Sequence, residues 1–209
     1  MSKINFLRGV PADEALEPVA KALAAAYAEI LEKQGGQLIQ YQTPGISDFL
    51  GYHKLKETIA TRLGLKGNPL KQVICTNGGM ETFSFVLKSL PRGSRVATDA
   101  LTYDRVLLDI QRHELKSVGI PLGADGADLE ALDDILSKND IAVFYQIGYH
   151  HNPTGLTVSK ANMEAAAAIC ARHHVLHVVD IAYYELRYDD KANEMLDLAA
   201  FPETCSLVG

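Results

Sequence analysis

Val175-Leu-His-Val-Val-Asp180-Ile-Ala-Tyr183-Tyr-Glu-Leu186 is the stretch on which the reading of this chain turns. A valine-rich apolar run of strand length ends abruptly in an aspartate, and a tyrosine follows three residues later. Such runs are buried on both faces and suit a central strand of a parallel sheet. A carboxylate at the carboxyl end of that strand stands where open α/β sheets place their ligands. Two readings of Asp180 are open at this point. It caps the next turn, as Asp commonly does at strand ends, or it serves a ligand.

Working outward, strand and helix patterns alternate on the amino-terminal side. Val73-Ile-Cys-Thr76 reads as a short strand, followed by Asn77-Gly-Gly-Met80 and a helix carrying Phe83, Leu87 and Leu90. Arg95–Thr98, 116–121 and Ile141–Tyr145 read as further strands. A helix with Val106, Leu107 and Ile110 and helices over 128–137 and 159–173 separate them, and Cys205–Val208 begins one more strand. Strands separated by helices imply right-handed βαβ crossovers. The expected fold is α/β, with a mainly parallel sheet between two helical layers.

Farther upstream, residues 1–12 read as an extended arm. A helix is expected from Asp13 to Gln34, with Leu16, Val19, Leu23, Tyr27 and Leu31 on one face and Gly35-Gly36 as its stop. A second helix carries Leu55, Ile59 and Leu63. The polar connector from Gly64 to Lys71 then divides residues 1–66, an arm with helices, from residues 67–209, the sheet domain.

Composition narrows the function classes. The 209 residues carry a net charge of −6, with 47% hydrophobic and 22% charged residues. That is an ordinary globular balance, without the basic cluster of a nucleic-acid surface. Cys75, Cys170 and Cys205 lie in apolar segments without a CxxC pair, as expected of reduced thiols. No apolar run approaches membrane-spanning length, and the start Met1-Ser-Lys-Ile-Asn-Phe6 lacks a signal peptide's apolar core. A cytoplasmic protein that binds neither membrane nor nucleic acid is expected.

In a parallel sheet the carboxyl ends share one rim, so the residues after each strand converge. Gly78, Gly79 and Met80 open a helix and read either as a glycine turn or as an anion cradle. Neither GxGxxG nor a P-loop pattern occurs. Tyr103 is either a core tyrosine or a face for stacking on a flat ring. The loop His150-His-Asn-Pro-Thr-Gly155 is more specific, because its turn residues leave the Asn152 amide to make a directed hydrogen bond. Asp180 and Tyr183 add a carboxylate and a phenol. His173, His174 and His177 straddle a helix end and a strand, so they do not share one helical face for a metal. His150 and His151 read as loop residues behind the site, with no catalytic partner in view.

These residues carry a resemblance. With His-Asn-Pro-Thr-Gly at 151–155 and Asp-x-Ala-Tyr at 180–183, the chain resembles the N-terminal half of a fold-type I pyridoxal-phosphate enzyme. The class I/II aminotransferases are the family, and the aminoadipate and aromatic branch is nearest. The resemblance implies that Asp180 pairs with the pyridine nitrogen, Asn152 and Tyr183 reach the ring hydroxyl, and Tyr103 stacks on the ring. Gly78, Gly79 and Met80 would hold the phosphate. It further implies amino acid and 2-oxo acid substrates and a homodimer. The family often has Ser-Gln where this chain has Gly79-Met80.

Two departures accompany it. The family's tyrosine ahead of the glycine matching Gly51 is missing from its usual place, and Tyr41 lies several residues farther upstream. The Schiff-base lysine is expected after the strand starting at Cys205, beyond Gly209, while Lys160 and Lys191 read as solvated charges. The expectation is therefore a partial large domain, incomplete at its C-terminus and without the small domain, inactive by itself. The alternatives are a truncated module that binds pyridoxal phosphate or mediates dimerisation, and another fold-type I enzyme such as a lyase or decarboxylase.

Overall fold

The computed structural model describes residues 11–40, 44–186 and 205–209. Tyr41, Lys191 and most of the expected N-terminal arm lie outside the described residues. The chain forms two compact units, Met1–Phe49 and Leu50–Gly209.

The first unit contains α1 (Asp13–Leu38) and the two-residue strand β1 (Ser47–Asp48). Helix α1 runs through Gly35-Gly36, which were expected to end it. The Ile39 N–H donates to the Gly35 carbonyl, and Ile39 closes the helix in right-handed geometry. Glycine lowers helix propensity but stops a helix only where the chain turns left-handed. The apolar stripe through Leu16, Val19, Leu23, Tyr27 and Leu31 is present, and it is solvent-exposed. Lys21–Glu17 and Lys33–Glu29 ion pairs one turn apart support the helix, each by a few tenths of a kcal/mol.

The second unit opens with β2 (Gly51–Tyr52), α2 (His53–Arg62) and the short α3 (Pro69–Gln72). The polar connector contains a helical turn, capped by the Asn68 side chain with Pro69 at its first position. Buried Lys56 donates to the Leu70 carbonyl and Cys75 N–H to the Leu50 carbonyl, so residues 50–72 belong with the sheet. The observed division accordingly precedes the expected boundary at residue 66. Val73–Thr76, expected as a strand, is not one. It takes part in no ladder among the described residues, and an extended segment becomes a strand only by pairing.

The rest alternates as expected: α4 (Gly79–Lys88), β3 (Arg95–Asp99), α5 (Asp104–Arg112), β4 (Lys116–Ile120), α6 (Leu129–Lys138), β5 (Ile141–Ile147), α7 (Lys160–Arg172), β6 (Leu176–Asp180) and β7 (Cys205–Val208). The five longer strands form one parallel sheet in the order β4-β3-β5-β6-β7. Successive side chains alternate between its faces. Val96, Val143, Tyr145, Ile147 and Val178 therefore pack against Phe83 and Leu87 of α4 and Val106 and Ile110 of α5. On the other face, Ala97 and Phe144 meet Leu132 and Leu136 of α6 and Ala166 and Cys170 of α7. Each large buried side chain here contributes about 1.5–3 kcal/mol. Ser159 caps α7 by accepting the Asn162 N–H at 3.1 Å.

Register places the site. Thr98 pairs with Tyr145, Ile147 with Asp180, and Asp180 with Val208. Asp99, Ile147, Asp180 and Val208 therefore end four neighbouring strands on one rim.

Candidate functional site

Asp180 sits at the carboxyl end of β6, half-buried, with both carboxylate oxygens engaged. Oδ1 accepts the Ala182 N–H at 2.9 Å, and Oδ2 accepts the Tyr145 hydroxyl at 2.5 Å. The turn-capping reading of Asp180 thus holds, with the carboxylate at the carboxyl end of β6. Burial, and then the neighbouring Asp180 carboxylate, push the Tyr145 phenol well above its ordinary value, so it stays a neutral donor. Tyr183 and Asp99 also lie close enough to act electrostatically on that phenol. Tyr145 is a residue that sequence reasoning missed. Its place inside an apolar strand made it look like core.

Asn152 and Tyr183, paired from the sequence, line one open depression with His150, Pro153, Gly155 and Leu186. The His150 ring Nε2 lies 2.7 Å from the Leu186 carbonyl and ties the 150–155 loop to the 183–186 turn. Tyr183 is 37% exposed. Neither the Asn152 amide nor the Tyr183 hydroxyl hydrogen-bonds another described residue, so both are available to a ligand. Asp180 does not line this depression. It binds Tyr145 on the neighbouring strand instead. Beneath, Tyr149 and Tyr184 pack edge to face at 4.8 Å and stiffen the turn.

The glycine cradle starts α4. Gly78, at φ 106°, occupies a backbone conformation that side-chain-bearing residues rarely adopt. A Cβ on Gly79 would lie 3.2 Å from the Gly209 backbone nitrogen, so the helix start and the end of β7 touch, backbone to backbone. The N–H groups of Gly78, Gly79 and Met80 meet no acceptor among the described residues, as expected of a first helical turn. The Met80 side chain packs into the core, leaving only its backbone toward the rim. Glu81 closes the outer side by accepting the Asn77 N–H at 2.8 Å, a bond that lowers its carboxyl below the ordinary range. Tyr103 precedes α5 and packs partly against the core, so its body is anchored there.

The histidines considered as a metal set disperse. His173 Nε2 lies 2.6 Å from the Asp133 carboxylate. His177 is buried against Gln146 and stacks on Phe144 at 5.2 Å. His151, by contrast, has a partner that sequence reasoning overlooked: its Nε2 lies 3.3 Å from Oδ2 of buried Asp99. The signal was present, because Asp99 ends an apolar strand just as Asp180 does.

A pyridoxal phosphate would find matching groups here. The carboxylate, the two unbonded polar side chains and the bare helix start are the donor and acceptor types that its ring nitrogen, ring oxygen and phosphate require.

The pattern of the family Aminotransferase class I and II matches residues 2–208. A 2-aminoadipate transaminase of Thermus thermophilus is 31% identical over 189 residues, covering 90% of this chain and 45% of that protein. The crystal structure of an α-aminoadipate aminotransferase from the same species, complexed with N-(5'-phosphopyridoxyl)-L-leucine, superposes with a TM-score of 0.77. It is 29% identical, over 91% of this chain and 47% of that one. An archaeal alanine:glyoxylate aminotransferase, 22% identical, shares the fold with a TM-score of 0.81 over 97% of this chain and 50% of its own. The chain spans about half the length of the relatives it matches.

Proposed function

Because the chain belongs to the class I and II aminotransferases, we propose that Leu50–Gly209 builds the cofactor-holding part of a pyridoxal-phosphate-dependent transaminase. The substrate class is an amino acid and a 2-oxo acid. The whole protein is read as a cytoplasmic homodimer. When bound, pyridoxal phosphate supplies an electron sink for the charge left as a substrate Cα–H bond breaks.

The residues of this chain do the rest. Asp180 holds a proton on the ring nitrogen, since a carboxylate favours the charged form of a neighbouring base. Tyr145 and the Ala182 N–H fix the plane of that carboxylate. Asn152 and Tyr183 donate to the ring oxygen, and Tyr103 offers a face to the ring. The N–H groups of Gly78, Gly79 and Met80, at the positive end of α4, take the phosphate.

The observation that supports this reading is that Asp180 ends β6 on the same rim beside β5, between the loop and the turn whose Asn152 and Tyr183 line one depression. Titration of the full chain with pyridoxamine 5'-phosphate, followed by its fluorescence, tests it. Saturable binding is expected, weakened about tenfold or more in Asp180→Ala and Asn152→Ala. Absence of saturable binding, or equal affinity in all three proteins, would overturn the reading.

A further inference from the structure

Behind Asn152 lies a chain of polar groups, buried at Asp99 and His151 and exposed at Thr154, to which the reaction assigns no part. His151 and Asp99 are both fully buried, from different strand ends. The Thr154 N–H donates to His151 Nδ1 at 3.4 Å, and the Thr154 hydroxyl lies 2.9 Å from the same nitrogen. A ring nitrogen that receives an N–H carries no proton itself, so the imidazole proton resides on Nε2. Nε2 lies 3.3 Å from Asp99 Oδ2, an ion-pair distance without hydrogen-bond alignment, and that oxygen receives the Ile147 N–H at 3.3 Å. The Thr154 oxygen in turn accepts the Leu156 N–H, which leaves its own hydrogen for His151.

The backbone of His151 closes the same loop. Its N–H donates to the Leu156 carbonyl at 2.8 Å, and its carbonyl accepts the Gly155 N–H at 2.6 Å. Asn152 and Pro153 are therefore held in a ring that His151 ties by main chain and side chain together.

We propose that Asp99 and His151 are positioning residues: Asp99 selects the Nε2–H form of His151, and His151 then holds Thr154 and so sets the loop that presents Asn152. The tautomer and the loop order stand on this chain alone. The consequence for a ligand rests on the function proposed above. Burial raises the Asp99 carboxyl above its ordinary range, and His151 opposes that rise, so the pair depends on its partner for any charge it keeps. A buried imidazole oriented by a carboxylate is a recurring way to fix which nitrogen accepts.

The full chain, labelled with nitrogen-15, gives two readouts that need no ligand: the His151 ring nitrogen shifts and the exchange rate of the Thr154 amide. In the parent, the shifts should report the Nε2–H form. Asp99→Asn should mix the two forms and speed Thr154 exchange about tenfold. His151→Gln retains one acceptor for Thr154 and one donor for Asp99, so it should stay within about threefold of the parent in exchange. His151→Leu should exchange at least about tenfold faster. Affinity for pyridoxamine 5'-phosphate should follow the same order, falling about tenfold in His151→Leu and little in His151→Gln.

An Nδ1–H ring in the parent would overturn the proposal. So would Leu and Gln variants that match in both exchange and affinity. If the parent binds no pyridoxamine phosphate, the cofactor reading fails, and the nitrogen shifts and amide exchange still decide the relay.

Discussion

Asp99 and Asp180 end two apolar strands of one sheet, on the same rim, yet they occupy opposite situations. Asp180 is half-buried and has a bond on each oxygen. Asp99 is fully buried, shares Oδ2 between His151 and Ile147, and leaves Oδ1 without a partner among the described residues. The residue type and its strand position are the same. What differs is burial: Asp180 keeps part of its surface exposed at the end of β6, whereas Asp99 is enclosed at the end of β3 within reach of His151. A carboxylate at an open end can meet a ligand; one at a sealed end can only organise its neighbours.

Several measurements would break or sharpen that contrast. The largest effect belongs to the sealed interior. Desolvation pushes buried His177 down to about 3 from an ordinary 6.5. Between those values the unfolded chain binds a proton that the folded chain refuses, so stability is full above pH 6.5 and falls as pH drops toward 3. The loss amounts to roughly 4–5 kcal/mol over the full range. In urea titrations at stepped pH, His177→Leu should lose most of this acid slope, and an unchanged slope would show that another group carries it.

Next in size is the open end. Asp180→Asn keeps the shape and removes the charge, and should weaken pyridoxamine phosphate binding about ten- to a hundredfold while costing no more than about 1 kcal/mol in the thermal melt. A large melting shift with unaltered binding would mean that Asp180 is structural, as Asp99 is.

Asp99 should show the reverse pH sign to His177. Its carboxyl is raised by burial, so the folded chain keeps that proton to higher pH than the unfolded chain. Its contribution is present below pH 3.8 and is lost as pH rises through the folded value. Asp99→Asn should flatten stability on that rising side, read from the same urea series. The smallest effect is expected from Tyr145→Phe, which removes one hydrogen bond to Asp180. It should cost about 1 kcal/mol in the thermal melt and a few-fold in ligand affinity.

Much of this was legible in the chain of residues. The alternating strands and helices from Arg95 to Asp180 follow from apolar periodicity, and Asn152, Asp180 and Tyr183 stand out as polar residues at strand ends. Two expectations failed for identifiable reasons. Val73–Thr76 has the composition of a strand, but pairing is a property of neighbours. Gly35-Gly36 looks like a stop, but a helix ends only where its backbone turns. The connector before Lys71 concealed a helical turn that Asn68 and Pro69 announce in its capping signature.

Asp99 and Tyr145 were passed over because nothing local marks them. The sheet order places β3 beside β5 and sends β4 to the edge, which brings Asp99 to His151 and Tyr145 to Asp180 across long stretches of chain. Residue order alone determined the layers, the rim and the polar residues that reach it, because periodicity and turn chemistry act over a few residues. Only the tertiary structure decided which aspartate is open and which is sealed. Burial and partnership depend on strand order and loop closure, which no short stretch of sequence contains.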